Sequence, residues 1–185
     1  MSTFPVHTIE SAPEKSRAAL RTIEQAFGLV PNLAATMAES PPLVNAFLGV
    51  FTQIHGGSFT AGERQILLLS NAVANASPWA VAFHSTLALK EGVAPGDVEA
   101  VREGRLPMTP RLAALSALTR ALIEKRAHLD VRDLASFADA GFREVQVLEV
   151  IATLAASVMA NYTGNIAHPP VEAQFQPQTW HLPPT

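Results

Sequence analysis

Apolar positions recur along this chain at intervals of three and four residues nearly from end to end, the period of amphipathic helices. Sustained apolar–polar alternation is missing, and no hairpin dipeptide joins two β-branched runs. Ala and Leu, both good helix formers, dominate the apolar set. The pattern predicts an all-α protein, a helical bundle forming a single domain.

Breaker and cap residues divide the pattern into segments. Ser11 is the expected cap of a helix over 13–27, with Pro13 in its first turn and Gly28 as its stop. Pro31-Asn32 opens a short helix to 39. Ser40-Pro41-Pro42 begins another over 42–55, and Gly56-Gly57 reads as a loop. Thr60 with Glu63 three residues on is a capping-box pattern opening a helix over 60–75. Ser77-Pro78 then reads as cap and first helical residue of a helix stopped by Gly92. Further helices are expected over 94–103, from Thr109-Pro110 to 127, over 131–140 and over 143–161. The run 147–159 is apolar almost all round, as a helix buried on every side would be. It is short for a membrane span and carries Glu149, so packing between its own bundle and a second subunit is the expectation. Pro169, Pro170, Pro177, Pro183 and Pro184 exclude a regular helix from the end of the chain. The expected organisation is an N-terminal arm over 1–12, a helical domain over 13–165 and an irregular Pro-rich tail over 166–185, lying on a neighbour or hanging loose.

Composition sharpens this in one direction. Hydrophobic residues make up 48% of the 185 and charged residues 16%, against about 25% charged in an ordinary soluble domain. Surplus apolar surface points to a subunit interface, hence a homo-oligomer. The net charge of −3 comes with no basic cluster, which argues against a nucleic-acid partner. The first ten residues lack a signal-peptide pattern and no membrane segment is expected, so a cytoplasmic location follows. There is no phosphate-binding glycine loop, and no His-x-x-x-His or Glu-x-x-His pair, so neither a cofactor nor a metal is expected.

The stretch Asn75-Ala76-Ser77-Pro78-Trp79-Ala80-Val81-Ala82-Phe83-His84 carries the candidate chemistry. It resembles the core motif of the AhpD-like, or carboxymuconolactone decarboxylase, family. There an Asn-Gly-Cys-x-x-Cys-x-x-x-His run opens a helix and performs thiol peroxidase chemistry. Phe27-Gly28-Leu29-Val30-Pro31-Asn32 with Ser40-Pro41, Gly92-Val93, and Ala140-Gly141-Phe142 with Glu144 and Glu149 resemble other segments of the peroxidase-related branch. The resemblance covers roughly 18–165 and implies an AhpD-like bundle.

It also shows what is missing. Ser77 and Ala80 stand where the family has its two cysteines, Gln65 where it has an upstream glutamate, and Trp79 where some members have a histidine. His84 alone matches. A thiolate is the nucleophile in such chemistry, and this chain has no cysteine, so the thiol peroxidase reaction is expected to be absent. Members of the decarboxylase branch likewise keep the histidine without a cysteine pair. That likeness implies acid–base chemistry, decarboxylase- or isomerase-like, on a small organic acid, with His84, Gln65 and Ser77 as catalytic residues and Trp79 and Ala80 lining the pocket. The alternative is a redox-dead homologue that binds a small hydrophobic molecule or serves as a structural partner. By residue type alone, His84 reads first as a core histidine satisfied by Gln65, Ser77 or a backbone carbonyl, and Ser77 first as a helix cap; His55, in a loop context, is a lesser candidate for reaching a pocket. An enclosed pocket with several convergent polar groups around His84 favours an enzyme; a collapsed, solvent-free His84 favours the alternative.

Overall fold

The computed structural model describes residues 4–182. Among these, nine α-helices and one 3-10 turn account for all the regular structure: α1 Glu14–Phe27, α2 Asn32–Met37, α3 Pro41–His55, α4 Ala61–Ala74, α5 Pro78–Lys90, α6 Pro95–Arg102, α7 Pro110–Glu124, α8 Val131–Asp139, α9 Val145–Ala167 and the turn Gln176–Gln178. The local signals act as their chemistry requires. Thr60 and Glu63 form both halves of the capping box, Glu63 N donating to Thr60 Oγ1 at 3.2 Å and Thr60 N to Glu63 Oε2 at 2.9 Å. Gly28 ends α1 at φ +75°, a left-handed conformation in which a side chain would be strained.

Ser11 departs from its expected role. Its hydroxyl accepts from Thr8 N at 2.9 Å while Thr8 Oγ1 accepts from Ser11 N at 3.2 Å. This exchange closes the turn before α1, and the N-cap position of that helix is Pro13, whose ring has no hydrogen-bonding group to offer. α8 carries a second capping box, Asp130 with Asp133, that the apolar pattern did not suggest.

α4 is the central element, packed against α5, α6, α7 and α9. One core lies on its α5 side and gathers Leu20, Ile23, Met37, Val44, Ile66, Leu69 and Val81. A second, smaller core lies on its α7 side and joins Phe59, Leu67, Leu115, Leu118, Phe137, Phe142 and Val150. α9 continues to Ala167, six residues beyond the expected end, and closes at His168 with φ +48°. By length and composition alone it is apolar enough to cross a membrane; one face packs on α2, α3, α4 and α5. Its other face is an exposed stripe of Leu148, Ile151, Val158, Tyr162 and Ile166.

The tail packs on its own domain. Phe175 and Trp180 are buried. Arg102 Nη1 donates to Gln178 O at 2.9 Å, and Trp180 Nε1 donates to Arg102 O at 2.9 Å. Glu172 Oε1 accepts from Asn32 N at 2.6 Å and its Oε2 from Trp79 Nε1 at 3.1 Å.

Candidate functional site

Ala76, at φ +49°, turns the chain sharply after α4. Ser77 N then donates to Ala72 O at 2.9 Å, and α5 folds back antiparallel along α4. That register brings His84, near the middle of α5, level with Gln65, near the start of α4. His84 Nδ1 lies 2.9 Å from Gln65 Oε1. An amide oxygen only accepts, so the imidazole carries its proton on Nδ1 and leaves Nε2 as a bare lone pair.

His84, Ala80 and Trp79 line a cavity of about 50 Å³ bounded by residues of α1, α2, α3, α4, α5 and α9. That is room for a few water molecules. The wall is apolar and rich in aromatic rings: Phe27, Phe47, Phe51, Trp79 and Phe83, with Met37 and Leu68. Trp79 stacks on Phe83 at 4.9 Å between centroids, and Phe27 meets both Phe51 and Phe83 at 5.5 and 5.6 Å. The polar side chains of the wall are His84 and Ser157. Burial of His84 in this setting, reinforced by the neighbouring His55, pushes its pKa down to about 3. The ring is neutral at physiological pH.

The two ends of the cavity differ. At the His84 end, three helices each present a polar residue one turn beyond a cavity residue: His55 after Phe51 on α3, Arg64 before Leu68 on α4, and His84 after Ala80 on α5. The His55 ring lies 4.1 Å from that of Phe51, and its Nδ1 donates to Phe51 O at 2.8 Å. Desolvation lowers its pKa, with the Phe51 carbonyl opposing and the Arg64 charge assisting. Arg64 is half-buried, donates through Nη1 to Phe59 O at 3.2 Å, and has a buried Nε with no partner.

Ser77 lies one turn from Ala80 in the opposite direction. The cap expected of it is not made: it holds the N-cap position of α5, but its side chain accepts nothing. Its Oγ is buried without a partner, turned toward α9, where a Cβ built on Gly164 would stand 3.4 Å away. The structure thus joins Gln65 to His84 and leaves Ser77 apart from that pair. Close by, four asparagines link α4 to α9. Asn71 Oδ1 accepts from Asn75 Nδ2 at 2.7 Å and from Asn161 Nδ2 at 3.1 Å, and Asn165 Nδ2 donates to Asn75 O at 2.8 Å. Asn71 Nδ2 and Asn165 Oδ1 are buried and unpartnered. The sequence signal for this group is two Asn pairs at i, i+4, each on an otherwise apolar helix.

No protein-family model and no curated protein matches this sequence. Solved structures do. A peroxidase-related protein from Ralstonia eutropha JMP134, described as an alkylhydroperoxidase AhpD core, superposes with a TM-score of 0.81 at 20% identity, over 94% of each chain. The fold is AhpD-like. The debrominase Bmp8, as a cysteine-to-alanine variant in complex with 2,3,4-tribromopyrrole, shares the AhpD-like bundle at a TM-score of 0.77 and 22% identity, over 96% of this chain and 97% of that one. An uncharacterized peroxidase-related protein from Silicibacter sp. TM1040 reaches 0.76 at 15% identity, over 95% and 93%. At these identities the likeness speaks for the fold. On that fold this chain carries Ser77 and Ala80 and no cysteine anywhere.

Proposed function

We propose that this AhpD-like protein binds a small, largely apolar molecule, aromatic for preference, that presents an N–H or O–H group to His84. One observation carries the reading: an aromatic-lined cavity ends on an imidazole whose Nδ1 is committed to Gln65, so that Nε2 offers an acceptor to whatever occupies the space. A ligand that fills the space without a donor leaves the Nε2 lone pair unpaired, at a cost of roughly 1–3 kcal/mol, so the imidazole selects for ligands with an N–H or O–H. Phe27, Phe47 and Phe51 are only partly buried, and rotation of these rings is the route by which a small cavity enlarges. The debrominase neighbour was solved with a halogenated pyrrole, an apolar ring with one N–H.

Acid–base chemistry on a small organic acid asks more of this site. A histidine with a pKa of about 3 is a weak base at neutral pH, Gln65 does not titrate, and Ser77 is turned toward α9. The binding reading therefore stands ahead of the catalytic one. Titration calorimetry with phenol and anisole tests it. Phenol is expected to bind at least about fivefold more tightly, a ratio worth roughly 1 kcal/mol, and His84→Phe should erase the difference. Equal affinities in the native protein, or no binding of either compound, would overturn the proposal.

A further inference from the structure

Charged residues avoid two neighbouring helices. α3 has no Asp, Glu, Lys or Arg. α9, which packs along it, has one, Glu149, whose Oε2 accepts from Ser58 N at 2.8 Å and from Ser58 Oγ at 3.0 Å. The outer face of α9 is apolar. Val145, Leu148, Ile151, Val158, Tyr162 and Ile166 are exposed, from 37% for Val158 to 68% for Ile166. Together they show solvent roughly 600 Å², the upper end of what the largest apolar patch of a monomer shows. A stable interface takes about 800 Å² from each partner. The exposed Ala152 and Ala155, within the same stripe, bring it close to that.

The order of residues along the stripe says what covers it. From Leu148 the positions advance by alternating steps of four and three through Ala152, Ala155, Met159 and Tyr162 to Ile166. That is the spacing of a seam between two aligned helices. Large residues stand at its ends and alanines in its middle. We propose that α9 is the contact helix of a two-fold homodimer, packed antiparallel on its own copy with Ala155 at the crossing. In that register the seam is complementary to itself, as a two-fold contact requires. Ala155 meets Ala155, where small side chains let the helix axes approach; Ala152 meets Met159, and Leu148 meets Tyr162.

Two hollows beside α9 fit the same register. One, of about 290 Å³, lies next to Leu148 and Ala152 with Ile54 and Phe59 in its wall, and receives Tyr162 of the second copy. The other, of about 340 Å³, lies next to Met159 and Tyr162 with Leu43 in its wall, and receives Leu148 of the second copy. The charged residues of these walls are held within the chain, Glu149 by Ser58 and Glu39 by His7 at 2.6 Å. A lipid surface is the other apolar medium for such a helix. Helices that lie on membranes flank their apolar face with Lys and Arg, and α9 has neither. The dimer does not depend on what fills the His84 cavity.

Sedimentation equilibrium of the full chain at micromolar concentration is expected to give twice the monomer mass of 19.7 kDa, or an even multiple of it. Ala155→Glu sets two carboxylates against each other at the axis and should weaken the dimer at least about a hundredfold. Ala155 is exposed within the protomer and Glu is a good helix former, so the variant should keep the native circular dichroism. The chain has no cysteine, so single replacements report the register. Ala155→Cys is expected to give a disulfide-linked dimer on mild oxidation. In Leu148→Cys the two thiols are set about 21 Å apart, fourteen residues along the helix, and should stay free. An odd-numbered oligomer, the monomer included, overturns the proposal. So does a dimer that Ala155→Glu leaves intact, or cross-linking at 148 and not at 155. A monomer that floats with phosphatidylcholine–phosphatidylglycerol vesicles overturns it in favour of a lipid surface.

Discussion

The two sides of α4 are built to different standards. On the α7 side, among the described residues, the buried side-chain polar atoms have found partners and the apolar groups interlock. Ser70 Oγ donates to Ser116 Oγ at 2.7 Å. Phe137 and Phe142 stack at 4.4 Å, 9° from parallel, and the Arg111 guanidinium lies 3.7 Å above the Phe142 ring. Glu63 ties Arg111 to the start of α4. Burial acts to raise the Glu63 carboxyl, but its bonds from Thr60 N and Arg111 outweigh that and hold it below the ordinary carboxylate value. On the α5 and α9 side, the same helix borders a void and a set of polar atoms with nothing to bond: Arg64 Nε, Asn71 Nδ2, Asn165 Oδ1 and Ser77 Oγ, the last at the turn that leaves α4. Tolerating unmade bonds on one side of a helix while completing them on the other marks where stability has been given up.

Substitutions can break that contrast. The largest effect is expected on the complete side. Phe142→Ala opens a hole in a stacked pair and strips Arg111 of its platform, for a loss of about 3–5 kcal/mol in urea unfolding. A loss below about 1 kcal/mol would show that the second core is as loose as the first.

A middling effect is expected from pH. Folding keeps His84 neutral with its pKa at about 3, below the 6.5 of a free histidine. As pH falls below about 6.5 the unfolded chain takes up a proton that the folded chain refuses until about pH 3, so stability declines with acid across that window. His55 adds to the slope in the same direction. His84→Asn should flatten the decline between about pH 6.5 and 5, above the range in which carboxylates titrate. Parallel stability–pH curves for the variant and the native protein would show that His84 is hydrated and titrates normally.

The smallest effect is the most discriminating. Were Ser77 a working cap, Ser77→Ala would cost about 1 kcal/mol. With its hydroxyl buried and unbonded, the same change should be neutral or stabilising by up to about 1 kcal/mol. A clear drop in melting temperature would restore the cap.

These cases show what a sequence discloses. Helix limits were legible where the signal is local, as in the Thr60–Glu63 box or the glycine stop at 28, because both ends of the interaction lie within one turn. The register of Gln65 and His84 was legible too, through the family resemblance and the turn between their helices. The end of α9 was not, because residues 162–167 stay helical through packing of Gly164 against the α4–α5 turn, a contact from far away in the chain. The role of Ser77 was misread for a related reason: serine before Pro78 has the composition of a cap whether or not its hydroxyl turns inward. Phe27, Phe47 and Phe51 look like ordinary core residues in any helical pattern. Whether such rings fill a space or surround one is decided by packing alone. Arg64 was hidden among first-turn charges that usually face solvent.

The clasp between Asn32 and Glu172 has a consequence in time. The two residues are 140 positions apart, and at a synthesis rate of about 5–20 residues per second the second follows the first by roughly 7–28 seconds. Throughout that interval Asn32 lacks its partner, and over the later part of it Trp79 lacks the Glu172 carboxylate that accepts from its Nε1 and Phe83 lacks the Phe175 ring that packs against it at 4.9 Å. The growing chain therefore carries its most aromatic surface uncovered until synthesis is nearly over, the period in which a nascent protein is most apt to stick to its neighbours.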